Sequence, residues 1–307
     1  MGATVIKAAQ AVGIEEKPEQ KKPVLPGEVE KSIALGRSAL IRNQKKAAIN
    51  LARISKDSDR VRNHIVDEGG LGPLIQMTHS KSLEVQTCAV KTLAELAKTS
   101  NNRQKMLENG AILPLLEGLK HKSYEVRGAA VAGLGQIGRL EEARFRVIAE
   151  GATQGIVKFL LEGDKDNSLE DEIMCLETIY QLSQHPKNHT RMVKDNILPA
   201  LFDVVHSSLK SNKHKTLAMK TISELCKHEG NHKKIMDFDQ QSGIKRIIKL
   251  CEYYHDAVRI YAAKSVEFLA VNPFLVQKLT EEGVRTLHFC ASLESLTRKY
   301  RYRSWIL

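Results

Sequence analysis

Apolar positions along the chain keep a helical beat. A small residue is followed four positions on by an aliphatic and three further on by another. The set reads Ala47/Leu51/Ile54, Ala89/Leu93/Leu96, Ala130/Leu134/Ile137, Cys175/Ile179/Leu182, Ala218/Ile222/Leu225 and Ala262/Val266/Leu269. This spacing lines one stripe of an α-helix, and the small first residue lets a neighbouring helix approach closely. The six starts lie 42, 41, 45, 43 and 44 residues apart, which predicts one long helix per copy of an internal repeat.

Polar positions keep the same phase. Ser82-Leu83-Glu84, Ser123-Tyr124-Glu125 and Ser168-Leu169-Glu170 each precede a long helix, with Ser expected as N-cap and Glu complementing the helix dipole. Upstream, Gly69, Gly110 and Gly151 recur every 41 residues, as left-handed C-caps of short helices would. Pro73 and Pro114 suit the first turn of the helix that follows. Each copy therefore reads as short helix, Gly turn, second helix, polar turn, long third helix. Two Gly turns are replaced, by Lys194-Asp195-Asn196 and by Asp239–Gly243, and Glu162–Asn167 adds a loop. Gly128, Gly133, Gly135 and Gly138 weaken one long helix by about 1 kcal/mol each relative to Ala. Close helix packing is the favoured reason, with a bending point as the alternative.

A 41–45-residue period with a Glu-Gly-Gly-x-x-Pro-Leu turn and a third helix of the type AVKTLAELA resembles the armadillo repeat. The resemblance covers residues 45–290, and HEAT repeats, the nearest rival, lack the separate short first helix. It implies an all-α, right-handed superhelical solenoid of about five to six repeats, with third helices lining a concave groove. The expected organisation is an extended tail over 1–30, the solenoid over 31–296 with degenerate repeats at both ends, and a basic aromatic tail over 297–307.

Armadillo proteins that bind extended peptides, importin-α and β-catenin among them, carry a groove Asn six residues after the small anchor. Here those positions read Arg53, Glu95, Gln136, Gln181, Glu224 and Phe268, and the single Trp, Trp305, lies outside the repeats. That departure argues against an import receptor for basic peptides and leaves a mixed polar groove for another partner. One turn earlier stand Ile49, Lys91, Ala132, Glu177, Lys220 and Lys264. Lys91/Glu95 and Lys220/Glu224 are expected to pair along their own helices. The candidate groove residues are therefore Arg53, Lys91, Glu95, Gln136, Glu177, Gln181, Lys220, Glu224, Lys264 and Phe268.

Catalytic signals are weak. His228-Glu229-Gly230-Asn231-His232 matches the zinc-protease string HExxH, but that chemistry needs both His on one rigid helical turn. Gly230-Asn231 favours a helix end, and His185-Pro186-Lys187-Asn188-His189 stands at the same phase one repeat earlier without the Glu. No phosphate-binding Gly loop or nucleophile elbow occurs. A non-enzymatic chain with no cofactor and no metal is expected.

Composition changes the picture in three ways. No apolar run approaches the roughly 20 residues of a membrane span, and five scattered cysteines without a CxxC suit a reducing intracellular compartment. The N-terminus lacks the Ser or Thr of a myristoylation signal at Ile6, and Glu15, Glu16 and Glu19 are out of place in a mitochondrial presequence. A cytoplasmic protein is expected, with cytoskeletal, ciliary or mitochondrial association left open. The net charge of +11 is unevenly spread: residues 31–62 carry nine Lys/Arg against two Asp, and residues 141–186 carry four basic against ten acidic. An acidic interruption disfavours a continuous nucleic-acid or anionic-membrane track and suits protein partners. Arg298, Tyr300, Arg301, Tyr302, Arg303 and Trp305 concentrate interface-type residues at the C-terminus, either to anchor a partner or to cap the last repeat. The sequence thus points to a protein–protein interaction scaffold within a larger complex, with a reversible peptide-cargo receptor as the alternative.

Overall fold

The computed structural model describes residues 22–161, 169–238 and 243–271. These residues form helices and turns, with no strand among them. A leading pair, α1 (Glu28–Gly36) and α2 (Ile41–Ile54), precedes five three-helix repeats. They are α3 (Asp59–Asp67), α4 (Leu71–Met77) and α5 (Leu83–Leu96); α6 (Ser100–Glu108), α7 (Ile112–Gly118) and α8 (Tyr124–Ile137); α9 (Glu141–Ala149), α10 (Ala152–Leu161) and α11 (Leu169–Ser183). The last two repeats are α12 (Asn188–Lys194), α13 (Ile197–His206) and α14 (Asn212–Cys226), then α15 (Glu229–Met236), α16 (Gly243–Leu250) and α17 (Asp256–Leu269). The N-terminal boundary expected at residue 30 falls inside α1, which starts at Glu28 after Gly27. The loop at 162–167, the degenerate C-terminal end of the solenoid over 272–296 and the C-terminal tail lie outside the described residues.

Why the repeats stack is visible in the small anchors. Ala47, Ala89, Ala130, Cys175, Ala218 and Ala262 have no exposed surface, and the aliphatics four and seven positions on are buried with them. Each long helix packs on the next, α2 on α5, α5 on α8, α8 on α11, α11 on α14 and α14 on α17. One apolar core runs through all repeats, because a single three-helix unit cannot cover its own apolar faces.

The turns obey the same period. Gly69, Gly110 and Gly151 have φ of 74°, 77° and 94°, and Asn196 takes over at φ 64°. Asn tolerates this region better than other side-chain-bearing residues, so the fourth turn survives its sequence change. The N-caps differ from expectation. Ser82 and Ser123 have extended N-cap backbone, but neither hydroxyl caps its helix. Glu84 and Glu125 instead pair with Lys45 and Lys91 of the preceding long helix, so the charged first turns link neighbouring repeats.

A further periodic device holds each first helix to the long helix before it. Arg62, Arg103 and Arg144 each donate at 2.9 Å to a carbonyl at a long-helix C-terminus, those of Ser55, Ala97 and Gly138. In the last two repeats the donor is His189 Nε2 to Ser183 O and His232 Nε2 to Cys226 O, both at 2.8 Å. Orphan carbonyls at a helix end need such partners. Asn102, Asn188 and Asn231 satisfy a second carbonyl one residue earlier, at 3.2, 2.8 and 3.0 Å.

Candidate functional site

The glycines of α8 and its C-cap Gly138 are sites of close packing. An added Cβ at Gly128 would meet the Phe159 ring at 3.3 Å, at Gly133 the Leu115 side chain at 3.0 Å and at Gly138 Leu182 at 2.9 Å. At Gly135 it would overlap Thr178 Oγ1. The long helices on either side are thereby drawn close, and the outward face of α8 is left low. Ala129, Ala132 and Gly135 form the floor of a groove of about 450 Å³ between α5, α8 and α11.

Five of the ten groove residues read from the sequence meet here: Lys91, Glu95, Gln136, Glu177 and Gln181. Lys56, Lys98, Glu125 and Arg139 complete its charged rim. The ion pairs run differently from the expected pattern. Lys91 reaches across to Glu125 on α8 rather than along its helix to Glu95, and Glu95 pairs with Lys98 at 2.7 Å. Glu177 pairs with Lys213 of the next repeat at 3.0 Å.

The two groove glutamines are held by the arginines that clamp the first helices. Arg103 Nη2 donates to Gln136 Oε1 at 3.4 Å. With its amide oxygen turned toward Arg144, Gln181 accepts from that guanidinium at 2.9 Å. An amide oxygen fixed from behind leaves its NH₂ as the group free to donate to a polypeptide carbonyl. Sequence reading selected Gln136 and Gln181 but missed Arg103 and Arg144, although the spacing Arg62/Arg103/Arg144 is a signal of the same kind as the glycines. Lys56, Lys98 and Arg139 share a phase as well, each nine residues after the small anchor of its long helix, a second basic signal that the reading missed.

The other five residues lie away from this pocket. Arg53 is engaged at the N-terminal end, with Asn50 Oδ1 at 3.0 Å, Lys22 O at 3.1 Å and the Glu28 carboxylate. Toward the C-terminus, Lys220 sits 5.4 Å from the ring centres of both Tyr180 and Tyr261, bridging α11, α14 and α17. Lys264 lies 5.2 Å from Tyr261, and Lys227 stands 5.9 Å over Phe268. Such cation–π contacts contribute about 0.5–1 kcal/mol at exposed sites. Glu224 pairs with Lys227 at 2.7 Å, not with Lys220 as the spacing suggested. Arg298, Tyr300, Arg301, Tyr302, Arg303 and Trp305 lie outside the described residues.

The HExxH string straddles a helix junction. His228 is the N-cap of α15, and its Nδ1 accepts the Gly230 N–H at 3.1 Å. His232 is buried against the Cys226 carbonyl, so the two rings serve different backbone partners. Among the described residues one group of ligand-type side chains lies close enough to share a metal, Glu30, His64 and Glu68, all exposed. His64 Nε2 and Glu30 Oε1 are 3.0 Å apart, a hydrogen bond that joins α3 to α1. No helix among the described residues is long and apolar enough to cross a membrane.

Comparison with known proteins agrees with this architecture. A designed armadillo repeat protein superposes with a TM-score of 0.65 at 22% identity, covering 78% of this chain and 99% of its own. The chain has the armadillo fold. A second designed armadillo repeat protein, in complex with the peptide (KR)4, gives 0.64 at 22% identity over 79% of this chain and 99% of its own. A chain from a study of a phosphorylation switch controlling the interaction between cadherin and β-catenin gives 0.68 at 19% identity, over 78% of this chain and 46% of its own. No family model and no curated protein matches the sequence. The armadillo solenoid is thus shared with these proteins.

Proposed function

We propose that this chain is a non-enzymatic protein–protein interaction subunit that holds an extended segment of a partner in the groove over α5, α8 and α11. The observation that carries the reading is the low floor of Ala129, Ala132 and Gly135, flanked by Gln136 and Gln181 with arginine-oriented amides. An extended chain leaves backbone donors and acceptors unpaired, and fixed side-chain amides satisfy them without dictating sequence. Structural neighbours that bind peptides and protein partners support this assignment. The four described cysteines, Cys88, Cys175, Cys226 and Cys251, are free thiols, which fits a reducing compartment and an assembly in the cytoplasm.

Crosslinking mass spectrometry on the native assembly tests the reading. Crosslinks from Lys91, Lys98 and Lys56 to a single partner segment are expected, and Gln136→Ala with Gln181→Ala should weaken co-purification about tenfold or more. Crosslinks confined to residues 298–307, with deletion of those residues alone releasing the partner, would move the main interface to the C-terminal tail.

A further inference from the structure

The carboxylates of the groove are already answered from within the chain. Glu95 is taken by Lys98, Glu125 by Lys91 and Glu177 by Lys213. The cations are not all answered. Lys56 and Arg139 line the same groove, and no carboxylate among the described residues pairs with either. Arg103 stands beside Arg139 with its guanidinium on the carbonyls of Ala97 and Lys98 and on Gln136. Burial and the neighbouring Arg139 charge hold the Arg103 guanidinium below its usual range, as expected for two like charges in proximity without a counter-charge. Further along the groove, Lys220 and Lys264 rest on tyrosine faces, contacts that leave the full positive charge in place.

The run of acidic residues 141–186 does not alter this balance. Of its seven described carboxylates only Glu177 lines the groove, and Lys213 neutralises it. Charge along the chain and charge on the concave face are therefore different quantities.

We infer that the groove segment of the partner is acidic, an extended peptide with one carboxylate or phosphate facing Lys56 and another facing Arg139 across the Ala132–Gly135 floor. The inference rests on the groove reading above and adds the partner's charge. A basic segment would bring cations against Lys56, Arg103 and Arg139 with every groove carboxylate already engaged, and a like-charge contact of that kind costs affinity. Each acidic group that reaches one of these cations would receive a charge-assisted contact, about twice the strength of a neutral one.

Fluorescence anisotropy with the full chain distinguishes the outcomes. The probes are labelled dodecapeptides of alternating Glu-Ala, Lys-Ala and Ser-Ala, with a dodecamer of thymidylate as a polyanion that is not a peptide. The Glu-Ala probe should bind at least tenfold tighter than the Lys-Ala probe. Lys56→Glu with Arg139→Glu should reverse that order while leaving the thermal melt unchanged, since neither residue makes an ion pair among the described residues. Tighter binding of Lys-Ala, or indifference of Glu-Ala to the double reversal, overturns the acidic partner and leaves the groove reading standing. Thymidylate binding tighter than Glu-Ala, lost in the same double variant, assigns the cations to nucleic acid and also overturns it. Binding of all three peptides at sites indifferent to both the reversal and the Gln136→Ala, Gln181→Ala pair would sink the groove reading itself.

Discussion

Single side chains with charges or protons held out of water carry the sharpest predictions. Glu172 is 5% exposed on α11 and takes Lys210 Nζ at 2.6 Å on both carboxylate oxygens. Removing one member of a buried pair leaves an uncompensated charge, at a cost of about 3–5 kcal/mol. Because the Lys210 side chain keeps a quarter of its surface in water, Lys210→Met should fall at the low end, about 3 kcal/mol in urea titration. Replacing both members, Lys210→Met with Glu172→Met, should recover most of that loss. His189 makes the second case. Burial pushes its pKa below the usual 6.5, against an opposing hydrogen bond to Ser183 O and the nearby Glu224, with His228 and Lys227 adding to the depression. His206 and His214 are also lowered, chiefly by burial. The unfolded chain then binds more protons than the folded one below about pH 6.5, so stability present above that pH is lost as pH falls. Thermal melts at pH 7.5 and 5.5 should show this loss, and His189→Gln should make the gap between them smaller; an unchanged gap would remove His189 from the explanation.

The long helices were legible in the sequence because burial on one stripe leaves a spacing, and all six small anchors lie fully buried where the spacing put them. The left-handed turns were legible for the same kind of reason, since few residues accept their backbone. What the pattern could not convey is which partner a surface charge chooses. Lys91 has Glu95 one turn away in sequence but Glu125 across the interface, and the tertiary neighbour takes it. The groove itself was half legible: Gln136 and Gln181 share a phase with the other long helices, while its depth depends on how low α8 sits. That height is set by Gly135. A methyl there overlaps Thr178, a β-branched side chain with little freedom to retreat. Gly135→Ala should therefore destabilise by about 1–3 kcal/mol despite the better helix propensity of Ala, and Gly135→Ala with Thr178→Ser should recover part of that loss, because the unbranched side chain can turn its oxygen away. Thr178→Ala in the same background should restore stability. Circular-dichroism melts of the three variants decide between crowding and propensity.

Across the whole molecule, stability is a sum over neighbouring repeats, since each long helix packs on the one before and the one after. Between Arg62 and Gly151 the clamps and turns recur at a constant 41 residues, so residues 100–140 can be cut out with Thr99 joined to Glu141 in register. The shortened chain should remain helical, and its urea m-value should fall roughly in proportion to the residues removed; an unfolded product would show that α8 supplies packing its neighbours cannot replace. The opposite edit has the larger consequence. A chain carrying residues 100–140 twice would present two copies of Arg103, Gln136 and Arg139, one repeat apart on the same face. Copy number in the gene would then set valence in the protein, and a ligand long enough to span both copies would gain through effective concentration with no new kind of contact.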